Sequence, residues 1–146
     1  MRTDKWGEPL DLAEGDGAEL LVAGGVIKNY SPSPAVCVLT KPNVVDCTIR
    51  FSGALIEGGG TGITCRGASD YYIAGGTIVS GCTDYGIRAS SSISSARPNV
   101  YLIDSIIRDC GTGVYAHGAG DPNVQVNGSQ FIDCTTDTVG VNRSSQ

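Results

Sequence analysis

The sequence predicts an all-β domain: a solenoid of about five turns of short strands, with a short arm ahead of it. Three observations predict it. First, the hexamer S-x-φ-x-D-C (φ apolar) is written twice, as SIIRDC at 105–110 and SQFIDC at 129–134. Second, a looser pattern around that hexamer recurs five times at an interval of roughly 20–30 residues, the range of a solenoid coil. Third, the recurring segments alternate with period two over a few residues and are cut by Gly, Asn, Asp and Ser, which is the signature of strands. With no crossover helices between them, such strands wind around one axis and stack turn on turn at about 4.8 Å. Five turns then form a rod only about 20–25 Å long.

In chain order, residues 1–18 form an acidic N-terminal arm or cap that carries Trp6, and residues 19–146 form the solenoid domain. The segments VAGGVIKNY (22–30), VVDCTIRFS (44–52), IAGGTIVSG (73–81), LIDSIIRDC (102–110) and VNGSQFIDC (126–134) align on one another. Each has an apolar residue followed five positions later by another: Val22/Ile27, Val44/Ile49, Ile73/Ile78, Leu102/Ile107 and Val126/Phe131. A small residue lies between them at Gly25, Cys47, Gly76, Ser105 and Ser129. The turns are therefore expected to be anchored at Val22, Val44, Ile73, Leu102 and Val126, with a short first step and a longer second one. A second motif, Gly-φ-x-small, follows each anchor as GITC (62–65), GIRA (86–89) and GVYA (113–116), and more loosely as AVCV (35–38) and TVGV (138–141). Longer connections LTKP (39–42), RGASD (66–70), ASSSISSARP (89–98) and HGAGDP (117–122) come after that second strand, so they gather along one edge.

Composition excludes several classes. Hydrophobic residues make up 40% and charged residues 17%, the reverse of a disordered chain. A net charge of −5 with Lys and Arg scattered singly argues against a nucleic-acid partner. No apolar run approaches the length that crosses a bilayer, so no membrane span is expected. The first residues lack an apolar h-region, so no signal peptide is expected and a cytoplasmic location is the default. Six Cys without a CxxC pair, accompanied by a single His, do not make a zinc site, and no cofactor is expected.

The IAGGTI and NVYLIDSIIRDCGTGVYA stretches resemble coils of the right-handed parallel β-helix of the pectin-lyase-like superfamily, over roughly residues 19–141. The resemblance implies a right-handed parallel β-helix. The size is similar to that of short phage virion β-helix proteins, which implies a virion location and a homotrimer.

Stacking turns every position into a ladder. Cys110 is expected beside Cys134 and Ser105 beside Ser129, as small inward corner residues. A separation of about 4.8 Å exceeds what a disulfide prefers, so the thiols read as reduced core filler. Asp109 and Asp133 would then be neighbours about 5 Å apart, a spacing that suits a glycosidase pair or calcium, but Asp is a favoured turn residue with Arg108 adjacent, and turn chemistry is the reading adopted. Thr64, Arg88 and Tyr115 face outward on the second strand, where enzymes of the superfamily hold substrate. YGIR also resembles alginate epimerases, but Arg88 and Ala89 stand where their acid and His would be. No catalytic set emerges. Arg88, Tyr115 and His117, the last read as a surface-loop residue, remain candidates for glycan contact.

Apolar residues also fall on outward positions: Leu21, Val45, Tyr72, Tyr101, Ile103, Ile106 and Ile132. A contiguous outer patch of this kind marks an interaction surface. Two functions follow as expectations. One is a non-enzymatic assembly protein, a homotrimeric virion component of the capsid-decoration or spike kind that contacts other virion proteins. The other is a carbohydrate-binding or polysaccharide-cleaving β-helix.

Overall fold

The computed structural model describes residues 10–12, 19–29, 31, 36–40, 45–91 and 97–141. Among these residues there are sixteen strands and no helix. After β1 (Leu10–Leu12) the chain makes five rungs of three strands. They are β2 (Glu19–Ala23), β3 (Val26–Asn29) and β4 (Val36–Thr40); β5 (Val45–Ser52), β6 (Leu55–Gly58) and β7 (Thr61–Cys65); β8 (Ala68–Ala74), β9 (Ile78–Ser80) and β10 (Tyr85–Ser91); β11 (Asn99–Ile103), β12 (Ile106–Arg108) and β13 (Thr112–Gly118); β14 (Asn123–Asn127), β15 (Gln130–Ile132) and β16 (Thr136–Val139). Each strand pairs in parallel with the strand three places on. The result is sheet A (β1-β4-β7-β10-β13-β16), sheet B (β2-β5-β8-β11-β14) and sheet C (β3-β6-β9-β12-β15) around one core. The expected solenoid is present, and Leu10–Leu12 of the arm adds a strand to sheet A opposite Val38–Thr40.

Inward ladders fill the core. Sheet B contributes Leu20–Ile49–Tyr71–Val100–Val124 and Val22–Phe51–Ile73–Leu102–Val126. Sheet C contributes Ile27–Ile56–Val79–Ile107–Phe131, and sheet A contributes Val38–Ile63–Ile87–Val114. Tyr71, the largest fully buried side chain, keeps its hydroxyl satisfied by donating to the Arg66 carbonyl and accepting from the Arg66 N–H.

The corners explain the doubled hexamer. Between sheets B and C the chain turns through a left-handed residue at every rung: Gly24, Gly53, Gly75, Asp104 and Gly128. Only Gly, or Asp and Asn with their local hydrogen bonds, enters that region readily. The next small residue caps the bend. Ser105 Oγ donates to the Ile103 and Ile73 carbonyls at 3.0 and 3.1 Å, and the Ser105 N–H donates to Ser129 Oγ at 3.1 Å. The corner from sheet C to sheet A repeats the device with Gly58, Gly81, Asp109 and Asp133, all at positive φ. The Cys after each of the last three points its sulfur back at the carbonyl two residues earlier: Cys82 to Ser80, Cys110 to Arg108, Cys134 to Ile132. S-x-φ-x-D-C is thus two left-handed corners joined by one short strand.

The Gly of Gly-φ-x-small answers a different need. At Gly86 a Cβ would come within 2.7 Å of the Gly113 carbonyl oxygen and 2.8 Å of Ile107 Cγ2. At Gly113 it would come within 2.6 Å of both the Asp137 carbonyl oxygen and a Phe131 ring carbon. Sheet A therefore approaches sheet C too closely for any side chain there.

Two turns differ from the expected alignment. In the second, Val44 lies outside the described residues, and Ile49 belongs to sheet B, so the pair equivalent to Val22/Ile27 is Phe51/Ile56. Asp46-Cys47 imitates a corner, with Asp46 at positive φ, but forms a bulge between Val45 and Thr48 inside the longest strand. Ala54, not Cys47, follows the corner. The rungs are therefore anchored at Val22, Phe51, Ile73, Leu102 and Val126, so the first step is the longer and the second the shorter, the reverse of the expected order. In the third turn the corner holds one residue more than in the first, so Thr77 follows Gly75-Gly76 and caps the corner, Val79 enters the core and Ile78 faces out.

Smaller differences follow in sheet A. Val38 rather than Val36 lies opposite Ile63, and Thr138 rather than Val139 opposite Val114. RGASD is not a loop, since only Arg66 and Gly67 separate β7 from β8. Trp6 and most of the arm, and the tip of the Ser-rich segment, lie outside the described residues.

The two kinds of glycine predict responses of different size in denaturant unfolding. Gly86→Ala should cost about 1–3 kcal/mol by overpacking. Gly53→Asp, at an open left-handed corner whose nearest atom is the Gly75 oxygen at 3.7 Å, should cost less than about 1 kcal/mol, because Asp104 already serves the equivalent place.

Candidate functional site

Two outer surfaces gather the chemistry-bearing side chains. On sheet A the register runs Leu39–Thr64–Arg88–Tyr115–Val139, so Arg88 and Tyr115 are adjacent in one row and half-buried, whereas Thr64, expected to face outward with them, is buried. His117 is not in a loop: it lies in β13 opposite Ser90, two residues beyond Tyr115 and on the same face. Arg88 Nε donates to His117 Nε2 at 3.1 Å. The Tyr115 ring is held between Tyr85 at 4.8 Å and His117 at 4.7 Å, and the Arg88 guanidinium carbon lies 5.7 Å from the Tyr85 ring centre. The three candidates named from sequence thus meet in space, joined by Tyr85.

Tyr85 is not among the residues that the sequence singled out. Its signal is the Y-G-I-R that precedes the outward Arg, one rung from the Tyr of G-V-Y-A. The stack occupies both faces of Tyr115, so a sugar cannot lie on that ring. What remains available is hydrogen bonding. Burial, with the Arg88 charge beside it, lowers the His117 pKa below its ordinary 6.5. A neutral His117 that accepts at Nε2 carries its proton at Nδ1. Among the described residues the two Arg88 Nη nitrogens have no acceptor, and Arg88 has no carboxylate partner.

The second surface covers sheets B and C where they meet. Its rows are Leu21–Arg50–Tyr72–Tyr101–Gln125 and Val26–Leu55–Ile78–Ile106–Gln130, with Ala23–Ser52–Ala74 and the pair Ile103–Asn127 between them. Leu21 is 59% and Val26 58% exposed, and Leu55, Ile78, Ile103 and Ile106 are half-buried. Tyr72 stacks on Tyr101 at 4.9 Å, with the Arg50 guanidinium carbon 4.2 Å from the Tyr72 ring centre. Beside them a polar ladder runs from Asn123 to Asn99 to Asp70, with hydrogen bonds of 3.2 and 3.0 Å.

Five of the six interface residues named from sequence, Leu21, Tyr72, Tyr101, Ile103 and Ile106, fall on this surface. Val45 does not. It pairs with Ala68 at the far end of β5, and Arg50 occupies the row position between Leu21 and Tyr72. Leu55 and Ile78 escape the sequence pattern because it misaligns the second and third turns, while Val26, in the correctly aligned first turn, was not singled out. Ile132 is exposed in the next row, opposite Arg108.

Other candidates resolve into structure. Asp109 and Asp133 hold left-handed turns, and Arg108 Nε lies 3.9 Å from Asp109 Oδ2 between two well-exposed groups, a pair of marginal energy. All six cysteines are free, five of them buried. Burial pushes the Cys65 thiol well up and that of Cys37 to about 11. Among the described residues no three His, Cys, Asp or Glu side chains gather as metal ligands.

The single His makes the Arg88 contact measurable by imidazole NMR titration. Its folded-state pKa should lie below 6.5 and move toward it in Arg88→Met. Because the folded value is depressed, protonation favours the unfolded chain. The stability from this contact is complete above the ordinary value and is lost as pH falls through the folded one.

A family described as a right handed beta helix region matches residues 26–146, from β3 onward. Neither the curated proteins nor the solved structures contain a match to the chain. With parallel strands three apart in every pairing and that match covering most of its length, the chain belongs to the right-handed β-helix family.

Proposed function

We propose that this β-helix is a non-enzymatic assembly module that packs the shared outer surface of sheets B and C against neighbouring copies of itself. The observation that carries the reading is the row Val26–Leu55–Ile78–Ile106, aliphatic at four successive rungs on a face where solvent calls for polar residues. Leu21, Tyr72, Tyr101 and Ile103 widen it toward sheet B. A straight apolar row along the solenoid axis suits parallel copies around a rotation axis, because each rung meets its equivalent at one height. A homotrimer is the oligomer this reading favours. A virion component of the decoration or spike kind is the setting suggested by a short β-helix, on architecture alone.

A second reading, carbohydrate binding along sheet A, is favoured by the convergence of Arg88, Tyr115 and His117. It ranks lower because the stack covers the Tyr115 ring faces that a sugar would use, and five rungs offer a short track.

Native mass by light scattering during size-exclusion chromatography tests the first reading. It should be three times the 15.0 kDa of the chain. Ile106→Asp, which places a carboxylate in the aliphatic row, should weaken association by about 3 kcal/mol or more, over a hundredfold in Kd. Arg88→Ala should leave the mass unchanged. A monomeric parent protein, or an oligomer that survives Ile106→Asp, would sink the interface.

A further inference from the structure

Sheet A presents a group that the assembly reading leaves unused. In a chain of net charge −5, Arg88 stands without a carboxylate partner among the described residues, although Lys28 is 3.5 Å from Glu57 and Arg108 is 3.9 Å from Asp109. It is nonetheless held in place. Nε is bonded to His117, and Tyr115, in the row beside it, is clamped between Tyr85 and His117. Fixing Nε orients the planar guanidinium, so its Nη edge is presented in one direction. No carboxylate contributes to the shift at His117, where the charge that acts is that of Arg88. The cluster therefore consists of donors: the two Nη nitrogens, the remaining imidazole N–H and the phenol hydroxyls of Tyr85 and Tyr115. Arg88, His117, Tyr85 and Tyr115 are all half-buried and open to solvent on one side.

We infer that Arg88, fixed by His117 and walled by Tyr85 and Tyr115, is a binding site for an oxyanion, a carboxylate or sulfate group. A cation held in position with unspent donors, and with no acid among the described residues to neutralise it, binds such a group with little loss of side-chain freedom. The fork geometry of the Nη edge matches two oxygens of one anion. The stack does not take part as a sugar platform. Its role is to hold the guanidinium still.

The test uses the intact protein and follows its single His and the Arg88 Nε–H by NMR. The probes are sodium acetate, sodium sulfate, a galacturonate trisaccharide and, as the uncharged control, a galactose trisaccharide. The site requires saturable shifts at both groups with at least one anionic probe, and none with the galactose trisaccharide. Equal affinity for acetate and for galacturonate on a per-carboxylate basis identifies the anion alone as ligand. Affinity for the galacturonate trisaccharide about tenfold higher or more identifies an anion carried on a sugar.

Arg88→Gln should abolish the shift at His117, and Arg88→Lys, which keeps the charge but loses the oriented fork, should weaken binding about tenfold. Spectral dispersion of each variant checks that it is folded. His117→Phe provides a second route, because it keeps a ring against Tyr115 but removes the acceptor that orients Arg88 while leaving the cation; binding read at the Arg88 Nε–H should weaken. Absence of saturable shifts with all three anions, equal shifts with the galactose trisaccharide, or shifts unchanged in Arg88→Gln would overturn the site.

Discussion

Everything in this molecule depends on the parallel stacking of one rung on the next. At a strand spacing of about 4.8 Å, each side chain lies directly against its equivalents above and below. A residue must therefore suit its ladder as well as its own strand. Inside, the ladders are apolar and continuous, as in Val22–Phe51–Ile73–Leu102–Val126. At the bends they are small and left-handed, because the backbone must turn at the same height in every rung. Where sheet A approaches sheet C they shrink to Gly86 and Gly113, with no room for even a methyl group. The doubled S-x-φ-x-D-C is the plainest trace of that rule.

The same rule shapes the outside, where it has different consequences. Like residues stacked in register produce rows, and rows produce surfaces of one chemical character. The Val26–Leu55–Ile78–Ile106 row is apolar along most of the rod, while Asp70–Asn99–Asn123, on the far side of the Tyr72–Tyr101 row, is a chain of amide and carboxylate hydrogen bonds. On the third side, Arg88, Tyr115, Tyr85 and His117 make a compact polar and aromatic cluster. The solenoid thus separates an apolar surface fit for packing from a donor-rich one fit for a small charged group. The two lie on different sheets, so one need not obstruct the other.

Stacking also governs what the aromatic residues can do. Tyr72 on Tyr101, and Tyr115 between Tyr85 and His117, spend their ring faces on one another. Such pairs stabilise the outer surface by offset stacking, worth about 0.5–1.5 kcal/mol each. They leave rims and hydroxyl groups to solvent. An aromatic row that looks like a sugar platform in sequence becomes, once stacked, a brace for the polar groups at its edge.

The solenoid class, the inward ladders of the last two rungs and the outward place of Arg88 and Tyr115 were legible in the sequence, because each is a local pattern repeated at a nearly constant interval. Asp109 and Asp133 could be recognised as turn residues for the same reason. The second turn was not legible. Val-x-Asp-Cys-x-Ile at 44–49 and Phe-x-Gly-Ala-x-Ile at 51–56 carry the same local signal, and only pairing with the strands on either side makes one a bulge and the other a corner. That choice moved Val45 off the apolar surface and brought Leu55 onto it. A single inserted residue at Gly75-Gly76 likewise exchanged Ile78 and Val79 between outside and core, since a slip of one residue reverses every side chain on a strand. The meeting of Arg88 with His117, one rung away, was decided by the tertiary structure too. A sequence can declare its period, but register is a relation between rungs, and only the stacked rungs determine which side chains face one another.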